Sequence, residues 1–90
     1  MAEYRIAETQ TFQNKMESAS FRRHYPRIVE TIYPRLRSNP YYGPNIKRLR
    51  GELSAVFRYR VGDCRLFYSM DAQRDTVFVL DPVHRKHAYR

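Results

Sequence analysis

Midway along the chain, at Tyr41-Tyr42-Gly43-Pro44-Asn45, the spacing of apolar residues changes from helical to alternating, and few folds accommodate that change in ninety residues. Before it, Phe12, Met16 and Ala19 recur at helical spacing between about Thr9 and Arg23, with Thr9 or Thr11 as candidate N-cap. Pro26 opens a second helix with the stripe Ile28, Val29, Ile32 and Leu36. Pro34 deprives the Glu30 carbonyl of its helical partner, so this helix should kink or shorten, and it is over by Ser38-Asn39-Pro40. After the change, Val56, Phe57, Tyr59 and Val61 mark one strand, Arg65 to Met70 a second and Thr76 to Leu80 a third. Turn residues at Gly62-Asp63 and from Asp71 to Asp75 make these strands an antiparallel meander. Tyr4 to Ala7 reads as a short edge strand. The expected fold is α+β: an N-terminal strand and a two-helix hairpin packed on one face of a small antiparallel sheet, with the other face open.

Residues 1–90 are read as a single domain. A chain of this size buries only about 60–65% of its unfolded surface, so a partner that adds burial would matter to its stability. Seventeen Lys and Arg against nine Asp and Glu give +8, which favours a polyanionic partner through attraction and counterion release. Cys64 is the only cysteine, which excludes an intramolecular disulfide and points to a reducing cytoplasm. The sequence presents no basic leader followed by an apolar stretch, and no run approaches the roughly 20 apolar residues of a membrane span, so no membrane association is expected.

Four ordered segments carry a family likeness: Leu49-Arg50-Gly51, Phe57 through Tyr68, Val77-Phe78-Val79-Leu80, and Val83-His84-Arg85-Lys86-His87-Ala88-Tyr89. Together they resemble the core signature of the RelE/ParE superfamily of toxins from type II toxin–antitoxin pairs. The helix pair with Pro26 and Asn39-Pro40 is similar in layout to that family's N-terminal half. The resemblance implies a RelE-like microbial ribonuclease fold and one of two activities. RelE-like members cut messenger RNA in the ribosomal A site; ParE-like members inhibit DNA gyrase by binding only.

Cleavage of RNA by its own 2′-hydroxyl needs a proton acceptor, positive charge on the phosphorane oxygens and a proton donor for the 5′ oxygen. No metal or other cofactor is expected, because carboxylates are scattered and the pair His84 and His87 lacks a nearby acidic or thiolate ligand. Arg58 and Arg60 lie two apart on a strand and so project from one face, opposite Phe57, Tyr59 and Val61. Arg65 opens the next strand and Arg85 follows the last, so four arginines can converge on the open side and clamp phosphate. The resemblance implies catalytic roles for Arg58, Arg65 and Arg85, and a substrate-orienting aromatic at Tyr89. Arginine is a poor proton carrier, which leaves His84, His87 and Tyr89 to move protons; His87 or His84 is the candidate carrier. Lys47, Arg48 and Arg50, beside Tyr41-Tyr42, are candidate RNA or ribosome contacts, together with Arg60, His84 and Lys86.

The favoured reading is an mRNA interferase with ribosome and mRNA as partners. A cognate, locally acidic antitoxin would neutralise it, and operator DNA would be reached only through that antitoxin. The alternatives are a ParE-like gyrase inhibitor and an inactive relative retained as a repressor partner.

Overall fold

A computed structural model describes residues 3–49, 51 and 55–84. Five strands, β1 (Arg5–Glu8), β2 (Ile46–Arg48), β3 (Val56–Val61), β4 (Cys64–Asp71) and β5 (Thr76–His84), form one sheet in the order β1-β5-β4-β3-β2. The meander β3-β4-β5 is antiparallel as the turn signals require. Gly62 opens the β3–β4 connection at φ +59°, a conformation that glycine adopts without the steric cost of a side chain. Asp71 shapes the next turn by accepting from the N–H groups of Gln73 and Arg74 at 3.1 and 3.3 Å.

Three features of the sheet differ from the expectation. The edge strand β1 pairs with β5 in parallel, Arg5 opposite Thr76 through Glu8 opposite Val79, so the sheet is mixed. An additional strand, β2, forms where the sequence reads as a basic connection, with Ile46 opposite Tyr59. β5 also continues past Leu80 to His84, with a register shift opposite Phe67/Tyr68.

The first helical arm is α1 (Gln10–Lys15) and α2 (Ala19–Arg22). Thr9 is the N-cap of α1: its Oγ1 accepts from Phe12 N–H at 3.2 Å and lies 2.9 Å from the carbonyls of Val79 and Leu80. The helix expected to run unbroken to Arg23 is interrupted after Met16. There Glu17 and Ser18 N–H turn back to the Asn14 and Lys15 carbonyls, and Ser18 adopts extended backbone.

The second arm is α3 (Tyr25–Arg27), a wide π-type turn (Ile28–Ile32) and α4 (Tyr33–Ser38). Tyr33 N–H reaches back five residues to the Ile28 carbonyl, which moves Pro34 into the first turn of α4, where its missing N–H has no partner to lose. The predicted kink is therefore a single wide turn. Ile28, Ile32 and Leu36 are fully buried as the stripe requires, whereas Val29 faces solvent.

The core lies between these arms and one sheet face. Phe12, Ile28, Ile32 and Leu36 meet Tyr59, Leu66, Tyr68, Val77 and Val79, and each fully buried aliphatic or aromatic side chain contributes about 1.5–3 kcal/mol. Polar ties fix the layers. Glu8 Oε2 accepts from the hydroxyls of Tyr25 (2.9 Å) and Tyr33 (2.8 Å), and Tyr68 donates to the Pro40 carbonyl at 2.7 Å. Burial, and then the Glu8 carboxylate, push both the Tyr25 and Tyr33 hydroxyls above the ordinary tyrosine range. Among the described residues no helix is long and apolar enough to cross a membrane.

Candidate functional site

Alternation along β3 directs Phe57, Tyr59 and Val61 into the core, which leaves Arg58 and Arg60 on the face without helices. The ladder brings two further cations to that face. Arg60 stands directly opposite Arg65, and Lys47 directly opposite Arg58. Like charges facing one another across a ladder destabilise a sheet. The fold carries two such pairs side by side, and the carboxylate that lies in the same row, Asp81 opposite Phe67, is engaged by Lys15 at 2.7 Å. The ion pairs of the described residues are Lys15–Asp81, Arg23–Asp63, His24–Asp63 and Arg74–Asp71, none of which involves Lys47, Arg58, Arg60 or Arg65.

Arg65 is the most unusual member. It is only 4% exposed, and its Nη1 donates to the carbonyls of Gly62 (3.3 Å) and Cys64 (3.2 Å). Its Nε, like that of Arg58, is buried with no hydrogen-bond partner among the described residues. A buried guanidinium with donors left over is costly unless an anion meets it. The half-buried Phe67 shares this face, its Cα opposite Arg58 and two residues from Arg65. Its parity with Arg65 marks it in the sequence as a ring beside the cations, a position open to stacking that charge and proton chemistry alone do not single out.

The remaining candidates separate. His84 lies opposite Cys64, on the helix-bearing side, and stacks on Phe21 with centroids 4.5 Å apart, so it is not brought to the arginine row. The extra residue of β5 at the register shift reverses the alternation and accounts for this. Arg48 sits over the Phe57 ring at 5.9 Å on the core side of β2. Arg50, Arg85, Lys86, His87 and Tyr89 lie outside the described residues. Tyr42 is 80% exposed, while Tyr41 packs edge-on against Phe57. Burial raises the Cys64 thiol to about 11, which leaves it protonated at neutral pH and without nucleophilic character. Beside the Gly62 turn, burial opposes the charge on Asp63, but Arg23 and His24 outweigh it and hold its carboxyl below the ordinary range. Among the described residues no three His, Cys, Asp or Glu side chains gather to hold a metal ion.

A sheet with helices on one side and, among the described residues, a row of arginines without ion pairs on the other defines a class of small basic α+β domains, and the chain is similar to solved toxin structures of this shape. The chain matches one in the toxin–antitoxin complex RelBE2 from Mycobacterium tuberculosis with 30% identity, 94% of each chain covered and a TM-score of 0.76. It belongs to the RelE/ParE superfamily of toxin–antitoxin toxins. The same fold occurs in the archaeal RelE–RelB complex from Pyrococcus horikoshii OT3, at 22% identity over 96% of this chain and 99% of that one, with a TM-score of 0.74. It occurs again in the DinJ–YafQ toxin–antitoxin complex of E. coli, at 12% identity, 98% and 99% coverage and a TM-score of 0.71. No protein-family model and no curated protein sequence matches the chain.

Proposed function

We propose that this protein is a ribosome-dependent endoribonuclease that cuts mRNA in the A site, and that a cognate antitoxin neutralises it by covering the arginine face. The observation that carries this reading is the row Arg58, Arg60 and Arg65, which forms no ion pair among the described residues and in which the buried Nε donors of Arg58 and Arg65 meet no hydrogen-bond partner there. Such donors are matched to the charge that develops on a pentacoordinate phosphorus. In the reaction the 2′-oxygen attacks the adjacent phosphorus, the bond to the 5′-oxygen breaks, and a 2′,3′-cyclic phosphate and a 5′-hydroxyl result. Arg58 and Arg65, with Arg85, stabilise the phosphorane oxygens. His87 is the proton carrier of this proposal, and Tyr89 orients the base. Lys47, Arg60 and Lys86 add phosphate contacts. The stacking of His84 on Phe21 favours His87 over His84 in the proton-transfer role.

The RelBE2, RelE–RelB and DinJ–YafQ structures are toxin–antitoxin complexes, which supports an antitoxin partner, and the net charge of +8 supports an acidic one. Toeprinting of a defined mRNA on programmed ribosomes tests the reading. Wild-type protein is expected to cut within the A-site codon, and Arg65→Ala and Arg85→Ala to lose that cut. Intact mRNA with wild-type protein would overturn the nuclease and redirect attention to gyrase inhibition.

A further inference from the structure

The second helical arm carries Arg27, Thr31 and Arg35 at intervals of four, a polar stripe beside the buried stripe Ile28, Ile32 and Leu36. It looks onto the end of β3 that β2 leaves uncovered. The β2–β3 ladder stops at Ile46 opposite Tyr59, and beyond it Arg60 N–H donates to the Asn45 carbonyl at 3.0 Å. Between helix and strand end lies a cavity of about 280 Å³ whose lining includes Arg27, Thr31, Arg35, Asn45, Tyr59 and Arg60. Arg35 Nη1 donates to the Tyr59 hydroxyl at 3.0 Å, which ties that guanidinium to the wall. Among the described residues no carboxylate lines the cavity, and Arg27, Arg35 and Arg60 form none of the ion pairs.

Arg27 and Arg35 on the helix, with Arg60 at the strand end, give this small cleft a positive charge that favours entry of an anion. The other polar linings, a threonine, an asparagine and a tyrosine, are those that join arginine in contacts to nucleic-acid phosphates. Protein segments draw binding energy from buried apolar and aromatic anchors, and this lining offers few. The volume lies near the lower limit of small-molecule sites, about 300 Å³, which suits a phosphate with its sugar. Arg60 also belongs to the row on the open face, opposite Arg65, so one polyanionic strand passing over the end of β3 meets both places.

We propose that this cleft is a second phosphate-binding site, holding a phosphodiester of the RNA other than the one cleaved. The proposal rests on the RNA-cleaving reading of the open face. The cleft anchors the strand and sets where it crosses β3, while the open face does the chemistry.

The test uses the full chain and a 2′-O-methyl RNA oligonucleotide, which lacks the attacking hydroxyl and stays intact. Affinity is followed by fluorescence anisotropy against salt, and backbone amides by NMR. In wild-type protein the oligonucleotide should move the amides of Thr31 and Asn45 in the cleft as well as Phe67 and Ser69 on the open face. Arg27→Ala should lower the salt-dependence slope by about 0.7, the value of one single-strand phosphate contact, and Arg27→Lys should retain most of the slope. Arg27 is exposed, so its replacement leaves the fold intact, and unchanged amide positions away from the cleft check this. Shifts confined to the open face, with an unaltered slope in Arg27→Ala, overturn the second site and leave the cleavage reading standing. Cleft shifts produced by a Glu-rich peptide and not by RNA overturn it in favour of a protein segment. Absence of shifts on both faces overturns the site, while the toeprint on programmed ribosomes decides the cleavage reading separately.

Discussion

Replacing Arg65 by methionine separates what the buried guanidinium does for function from what it does for stability. Burying an ion costs several kcal/mol after relaxation. Its two hydrogen bonds, to the Gly62 and Cys64 carbonyls at 3.3 and 3.2 Å, lie just beyond and at the long limit of the normal range. Each charge-assisted bond therefore returns about 1.5 kcal/mol, the low end of the usual span, and together they fall short of the desolvation cost. Methionine is unbranched and of similar reach, carries no charge, and leaves the exposed Gly62 carbonyl free to hydrate. Arg65→Met should accordingly stabilise the protein by about 1 kcal/mol, which for a domain of this size raises Tm by about 4–8 °C. Thermal unfolding by circular dichroism measures the rise, and toeprinting measures the loss of cleavage. A fall in Tm of several degrees would refute the reasoning, because the guanidinium would then be a structural strut. A stabilised variant that still cuts mRNA would refute the role assigned to Arg65.

Three further outcomes are expected. Tyr68→Phe leaves the buried Pro40 carbonyl without its 2.7 Å donor and should cost about 1–3 kcal/mol in urea unfolding; a loss below 0.5 kcal/mol, on the order of the scatter of surface substitutions, would count against that bond. Ile32, 1% exposed in the wide turn, should cost about 2–5 kcal/mol as Ile32→Ala and about 0.5–1.5 kcal/mol as Ile32→Val, and equal losses for the two would deny it a core position. Because the Cys64 thiol titrates near 11 when folded and at 9.0 ordinarily, the unfolded chain releases that proton first, so stability falls as pH rises from about 9 to 11. A rise from 9.0 to about 11 corresponds to about 3 kcal/mol, and Cys64→Ala should show a correspondingly shallower alkaline decline in urea titrations at pH 8 and 11.

The alternation of Phe57, Tyr59 and Val61 and the turn residues Gly62-Asp63 made the meander and the convergence of Arg58, Arg60 and Arg65 legible, because these depend on neighbours in sequence. Features set by distant partners were hidden. β2 is three residues long, two of them basic, and exists because β3 offers it an edge. The parallel pairing of β1 with β5 joins segments that nothing local links. The place of His84 turned on one extra residue in β5, which no period-two count from Thr76 reveals. Pro34 announced a disturbance, but only the packing of Ile28 and Ile32 decided that it would be a wide turn rather than a break. The stripe Arg27, Thr31 and Arg35 reads as an ordinary solvated helix face until the end of β3 is placed against it.

The pairing of β1 with β5 also governs when the molecule comes into being. Thr9, just after the first strand, bonds to Leu80, 71 positions later, so the earliest segment made is among the last to find its partner. At about 5–20 residues per second, translation takes roughly 4–14 s to cover that interval. Through it the arm ending in α4 has no β5 to pack upon, and the arginine row on β3 and β4 lacks the strand that completes its sheet. High contact order thus acts as a timer: the arginine face is assembled only after the last strand has been made.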